Sequence, residues 1–288
     1  MTVVNTNVAA SVAQAALARN ERALGAAMEK LSTGKRINSA ADNAAGLTIS
    51  AQLTSQIRGL GAAVSNANDA ISMVNTADGA LDEITTMLQR MRELAVQAGT
   101  GTTASTDRTY LQSEFTALRT EIDRIADNTQ WNGRNILDGS AGASTGKSTV
   151  AFGIGQDGTA AQTLSTSFGN FNNTTGKLSG LASKIITGTT IVSAITLAAA
   201  SIAEIDVVIG DVSAQRASFG AVTNRLTHAV DSLANTKINS EAARSQILDT
   251  DYAAATSELA RTQIIQQAST SMLAQANAMP QTVLALLQ

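Results

Sequence analysis

The stretch NANDAISMVNTADGALDEITTMLQRMRELAVQAG, residues 66–99, carries an unbroken seven-residue repeat. Ala67, Val74, Leu81, Leu88 and Ala95 stand seven apart, and Ala70, Ala77, Ile84, Met91 and Ala98 follow three residues behind them. Apolar positions spaced alternately by three and four form one stripe along a helix, and a stripe this long needs a partner helix to cover it. Gly99 and Gly101 end the pattern, as glycine commonly does just past a helix. The helix is expected to begin near Ala44 and end near Gln97, which at roughly 1.5 Å per residue is about 80 Å. A compact domain of this chain length has a radius of gyration of only about 19 Å. The repeat therefore predicts a rod.

Working outward, Thr106-Asp107 open a second helix with the stripe Leu111, Phe115, Leu118, Ile122 and Ile125. A third stripe comes late, at Ile205, Val212, Phe219, Leu226 and Leu233, flanked by Ile202, Ile209 and Val230. Three seams of one period, widely separated in sequence, predict antiparallel helices in a bundle. Between them, residues 132–180 are rich in Gly, Ser, Thr and Asn, and short alternating runs such as TVAFGI predict hairpins and loops. Both ends are uncharged, over residues 2–18 and 262–288. Leu17, Leu24 and Leu31 keep heptad spacing at the front, and Ile265, Met272 and Met279 keep it at the back.

The fold class is thus mainly α, a long antiparallel coiled-coil-like rod with a small β-hairpin region and the terminal helices paired in a separate domain. The divisions read from the sequence are 1–43 and 246–288 for the terminal domain, 44–133 and 199–245 for the helical rod, and 134–198 for the hairpin region.

Composition narrows the chemistry. One Trp, two Tyr, five Phe and one Pro in 288 residues suit helices packed through small side chains rather than an aromatic core. The absence of Cys removes disulfides, thiolate nucleophiles and Cys-ligated zinc together. A net charge of −3 gives no electrostatic reason to bind nucleic acid. No apolar run is expected to span a bilayer, and the start lacks a basic residue before Arg19, which makes a poor secretory signal. Taken alone, these features suggest a cytoplasmic protein.

No catalytic, cofactor-binding or metal-binding constellation stands out. A lone His228 within a helical pattern reads as a surface or packing residue, and Asp82-Glu83 and Glu121/Asp123 read as helix-surface charges. Glu241/Arg244 and Glu258/Arg261, three apart, fit local helix pairing. GIGQDG, residues 153–158, matches the dinucleotide fingerprint literally. That fingerprint needs a following helix and an acidic residue about twenty positions on, and neither is evident. The favoured reading is a hairpin turning at Asp157-Gly158. The Met residues read as packing fillers, Trp131 as a plug at the end of the bundle, and NNTT at 172–175 as a weak glycosylation signal.

Several motifs resemble one known family. LSTGKRINSAADNAAGLTISAQL (31–53) and QRMRELAVQA (89–98) look like the N-terminal portion of bacterial flagellin. EIDRIADNTQWNGRNILDG (121–139) is similar to its second rod helix and the following turn, and residues 250–287 resemble the flagellin C-terminus almost throughout. VAFGIGQDGT resembles a recurrent flagellin hairpin. The likeness covers about two thirds of the chain. It implies a subunit that self-polymerises into the bacterial flagellar filament, in a short form with little or no outer variable domain. It also implies type III export, an extracellular location, and an export chaperone, hook-associated junction proteins and a cap protein as partners. A hook–filament junction protein is the nearest alternative.

The resemblance gives the oily ends a use. Leu17, Leu24 and Leu31 are expected to face Ile265, Met272 and Met279, with Leu273, Val283, Leu284 and Leu287 alongside, and identical neighbours to complete their burial. A second surface follows from the same family. In flagellins recognised by the vertebrate Toll-like receptor, the matching positions are Gln89, Arg90, Leu94 and Glu114. This chain departs at 117–119, where it has Ala-Leu-Arg in place of the common Gln-Arg-Leu. Arg90 and Arg92 point in different directions on their helix and are read as contacts between subunits.

Overall fold

The computed structural model describes residues 7–141, 149–155, 162–172, 176–181, 186–188 and 190–285, and the side chains of 279–285 lie outside this description. The helices are α1 (Val8–Thr33), α2 (Ala40–Ala98), α3 (Ser105–Asn128), α4 (Ile191–Leu248) and α5 (Tyr252–Ala285). Short strands β1 (Gln130–Trp131), β2 (Arg134–Asn135), β3 (Thr149–Gly153) and β4 (Thr163–Ser167) lie between α3 and α4. The chain forms two compact units, Met1–Ile57 with Ile238–Gln288, and Arg58–Lys237. The division falls inside α2 and α4, whereas the sequence reading placed it at the bends near 43 and 246.

In the larger unit the 66–99 repeat is the spine of the core. Every seam position from Ala67 to Ala98 is at most 1% exposed. Phe115 and Ile122 of α3 and Ile205, Val212, Phe219 and Leu226 of α4 join the same buried cluster, with Leu111, Leu118, Ile125, Ile202, Ile209 and Val230 packed against it. Ion pairs show the direction of packing: Arg92 Nε lies 2.7 Å from Asp206 and Arg216 Nε 2.9 Å from Asp78. Numbers fall along α2 as they rise along α4, so the two run antiparallel. These pairs are half-exposed and each contributes at most about 1 kcal/mol, so they orient the helices while apolar burial holds them.

Local chemistry sets the helix ends. Asn43 has φ −167° and ψ 98°, breaking α2, and its Oδ1 accepts the Gly46 N–H at 2.9 Å. That side-chain cap starts the regular helix at residue 44, where the sequence pattern begins. At the far end Arg108, only 2% exposed, donates to the carbonyls of Ala98 at 3.0 Å and Thr100 at 2.9 Å. A buried cation thus closes the negative end of α2.

Asn132 (φ 49°) and Gly133 (φ 74°) make the two-residue turn joining β1 to β2, the geometry a tight hairpin requires. β3 and β4 pair antiparallel with Phe152 opposite Leu164. Asn66 of α2 donates to Gly153 O at 3.2 Å, and Phe168 meets Phe219 of α4 with ring centres 5.2 Å apart. The dinucleotide reading of GIGQDG therefore fails: Gly153 ends a strand, Ile154 N–H donates to Gln162 O, and the next regular element described is β4 rather than a helix. Asp157, Gly158 and residues 173–175 of the sequon lie outside the described residues. Trp131 is half-buried on β1 and lines a groove with Met73, Val150 and Phe152.

One expectation is corrected. The start of α4 holds an 18-residue window of mean hydropathy 1.9, long and apolar enough by composition to cross a membrane. Small residues spread along it hide the run from a search for solid blocks of large side chains. Its Ala194, Ala198, Ser201 and Ile205 are buried in the unit.

Candidate functional site

The smaller unit is organised around α1 and α5. Asn7 caps α1 by accepting the Ala10 N–H at 3.0 Å, and Gly34 closes the helix with φ 68°. The chain then meets α5's approach in a two-residue bridge: Thr250 N–H donates to Gly34 O at 3.0 Å and Arg36 N–H to Leu248 O at 2.6 Å. Lys35 pairs antiparallel with Asp249. In the bend before α2, Asp42 accepts backbone N–H groups from Ser39 at 2.9 Å and Asn38 at 3.0 Å. Those donors, Ser39 first, hold its carboxyl below the usual 3.8.

From the bridge, α1 and α5 run antiparallel in fixed register. Asn20, buried, donates its side-chain amide to Thr262 O at 2.8 Å, and Asn7 donates to Ala276 O at 2.8 Å. The inward face of α1 is Ala10, Ala13, Leu17, Asn20, Leu24, Ala27 and Leu31, spaced by three and four. On α5 the corresponding face is Leu259, Thr262, Gln266, Ser269, Leu273 and Ala276. Leu17, Leu24, Leu31 and Leu273 thus lie half-buried between the helices.

Ile265 and Met272 do not. They are 38% and 61% exposed, beside Ile264 at 66%, so the stripe expected to face the α1 leucines points outward. The reason is phase: Ile265 and Met272 stand one residue before Gln266 and Leu273 of the inward face, and on that face the small Thr262, Ser269 and Ala276 let α1 approach closely. The side chains of Met279, Val283 and Leu284 are outside the description, as is Leu287 altogether. Sequence reading missed Asn20 and Thr262. Their signal is a polar residue at a seam position of an apolar repeat, which typically sets register.

In the larger unit, Gln89, Arg90 and Glu114 are exposed, but Leu94 is fully buried in the core. Leu94 therefore presents no side chain to any partner; α2 is covered from two sides, by α3 and α4, and that widens its buried arc. Arg90 donates to Glu114 at 2.9 Å and to Glu93 at 3.0 Å, and these bonds raise its pKa further. Both Arg90 and Arg92 find partners within the chain. Asp82 pairs with Arg216, Glu121 with Arg124, and Glu258 with Arg261, while Arg244 reaches Thr54 at 3.5 Å. His228 is exposed, and among the described residues no group of His, Cys, Asp and Glu could hold a metal.

What remains is a bundle, two hairpins and a helix pair whose outer apolar face lies open. A model of the bacterial flagellin N-terminal helical region matches residues 4–142, and one of the C-terminal helical region matches residues 202–287. The chain belongs to the bacterial flagellin family. This flagellin is 41% identical to flagellin of Halalkalibacterium halodurans over 286 residues, 99% of this chain and 100% of that one. It is 40% identical to flagellin of Bacillus subtilis over 306 positions, 99% of each. A structure assigned to a flagellar hook-associated protein from Vibrio parahaemolyticus superposes with a TM-score of 0.60, covering 72% of this chain and 100% of that one. At 14% identity that likeness shows a shared fold alone. The full-length identities favour flagellin over the junction protein. This flagellin is a short-form structural subunit that polymerises into the extracellular flagellar filament.

Proposed function

We propose that the α1–α5 pair is the surface through which this flagellin polymerises, with a division of labour between its two faces. Leu17, Leu24, Leu31 and Leu273 hold the pair together, aided by Asn7 and Asn20. Ile265 and Met272, joined by Met279, Val283, Leu284 and Leu287 further along, insert against neighbouring copies. The exposure of Met272 on an uncharged helix end carries this reading. Large apolar side chains open to water at the same phase of one helix lose free energy until something covers them, and uncharged neighbours add no desolvation cost. A head-to-tail contact that does not close on itself gives a filament. Removing residues 271–288 is expected to leave a folded bundle that forms no filaments under negative stain; long filaments from that chain would refute the reading.

The remaining partners are those the family brings: the export apparatus and chaperone, the hook-associated junction proteins and the cap. We also propose that any recognition by a vertebrate Toll-like receptor uses Gln89, Arg90 and Glu114, which are exposed together, with Leu94 contributing only through the core. The role is structural rather than enzymatic.

A further inference from the structure

We propose that Asn20 is the residue that decides which face of α5 lies inside the α1–α5 pair, a selection that rests on the assembly reading above only for its effect on polymerisation. Two faces of α5 compete for the leucines of α1. The face taken is Leu259, Gln266 and Leu273, with Thr262, Ser269 and Ala276 beside them. The face left out has Ile265 and Met272 in place of Gln266 and Leu273, and these are 38% and 61% exposed. Successive residues of a helix stand about 100° apart, so turning α5 about its axis by part of one step exchanges the two. The small series serves either seam, because Thr262, Ser269 and Ala276 stand three or four residues from the large residues of both. Apolar area alone favours the seam with Ile265 over the seam with Gln266. Something other than area selects the packing.

The side-chain amides of α1 supply the selection. Asn20 is 8% exposed in an inward face otherwise built of Ala and Leu, and its amide donates to Thr262 O at 2.8 Å. Asn7, at the start of α1, donates to Ala276 O at 2.8 Å. Both acceptors belong to the small series, where no long side chain screens the backbone. Thr262 is itself buried, and its hydroxyl turns back to Glu258 O at 2.8 Å, so it makes no demand on Asn20. Turning α5 toward Ile265 carries both carbonyls away from the amides, and a buried amide without a partner costs more than a made bond contributes. Asn20 thus penalises the wrong face rather than strengthening the right one, as a lone Asn does in a coiled-coil seam. The bridge at Gly34 and Thr250 acts on a different freedom. It fixes the level at which the helices meet, but it lies about four turns from Asn20 and leaves the rotation of α5 to be set further along.

The chain has no Cys, so the inner face can be read from which engineered disulfide closes. Asn20 meets Thr262, and antiparallel register then brings Leu17 level with Ile265 and Gln266. Full-length chains carrying Leu17→Cys with either Gln266→Cys or Ile265→Cys are oxidised in dilute solution, and the intramolecular product is measured by mass. With Asn20 in place, the 17–266 link is expected to close about tenfold faster than the 17–265 link. Adding Asn20→Leu is expected to invert that ratio while far-UV circular dichroism stays unchanged. Asn20→Ala, which removes the amide without adding bulk, is expected to move the ratio the same way, so a packing effect of leucine cannot account for both. A ratio unchanged in both variants overturns the proposal. So does equal slowing of both links with loss of helix signal, which would make Asn20 a support for the pair and no selector. In a chain without the added cysteines, Asn20→Leu is expected to need about tenfold more protein to polymerise, because Ile265 and Met272 are withdrawn into the pair. An inverted ratio with polymerisation at the wild-type concentration would uphold the selection by Asn20 and refute instead the assembly role of the outer face.

Discussion

Adjacent residues on α5 should respond to the same substitution in opposite ways. Met272 is 61% exposed in the single chain, whereas Leu273 is half-buried against α1. Full burial of such a side chain contributes about 1.5–3 kcal/mol, so covering the exposed part of Met272 on assembly contributes about 1–2 kcal/mol. Met272→Lys removes that gain and must keep its ammonium in water by extending along the helix. The critical concentration for polymerisation is then expected to rise about tenfold or more, at 1.4 kcal/mol per factor of ten. Far-UV circular dichroism of the dilute monomer should be unchanged. Leu273→Lys places the charge between α1 and α5, so helix signal and hydrogen-exchange protection at both ends should fall in the monomer itself. Sedimentation across a concentration series, with dichroism on the supernatants, reads both effects. If Met272→Lys pellets at the wild-type concentration, or if the two variants behave alike, the division between inner and outer faces is wrong.

Arg108→Ala leaves the Ala98 and Thr100 carbonyls without their buried donor, and urea unfolding of the larger unit should show a loss of about 2–4 kcal/mol. Gly34→Ala forces a side chain into φ 68° with the Tyr252 hydroxyl 3.2 Å from the new methyl, and should cost about 1–2 kcal/mol in the smaller unit, read by hydrogen exchange at Thr250. Asp42, with its carboxyl held below 3.8 by Ser39 and Asn38, contributes stability that is present above 3.8 and lost as pH falls through the lower folded value. An NMR titration of its carboxyl should therefore have a midpoint under 3.8, and Asp42→Asn should abolish that part of the acid sensitivity; a midpoint at or above 3.8 contradicts the bend geometry.

The bundle was legible because its signal is local and redundant. Ten apolar residues in one register, all within one continuous stretch, mark the seam that α2 buries. The antiparallel pairing of β3 with β4 was legible for the same reason, through alternation. The functional surface was not. On α5 the series Ile265, Met272 and Met279 is the more apolar heptad, yet α1 takes the neighbouring one, Leu259, Gln266 and Leu273, with Thr262, Ser269 and Ala276 beside it. That choice depends on close approach over Thr262, Ser269 and Ala276 and on Asn20 reaching a carbonyl 242 residues away. Leu94, expected on an outward surface, is buried because a second helix covers it, and Arg108 finds its buried acceptors only when the end of α2 arrives beside it. Periodicity along a chain states how many faces a helix can bury; only the arrival of distant partners selects among them, because burial is a property of pairs.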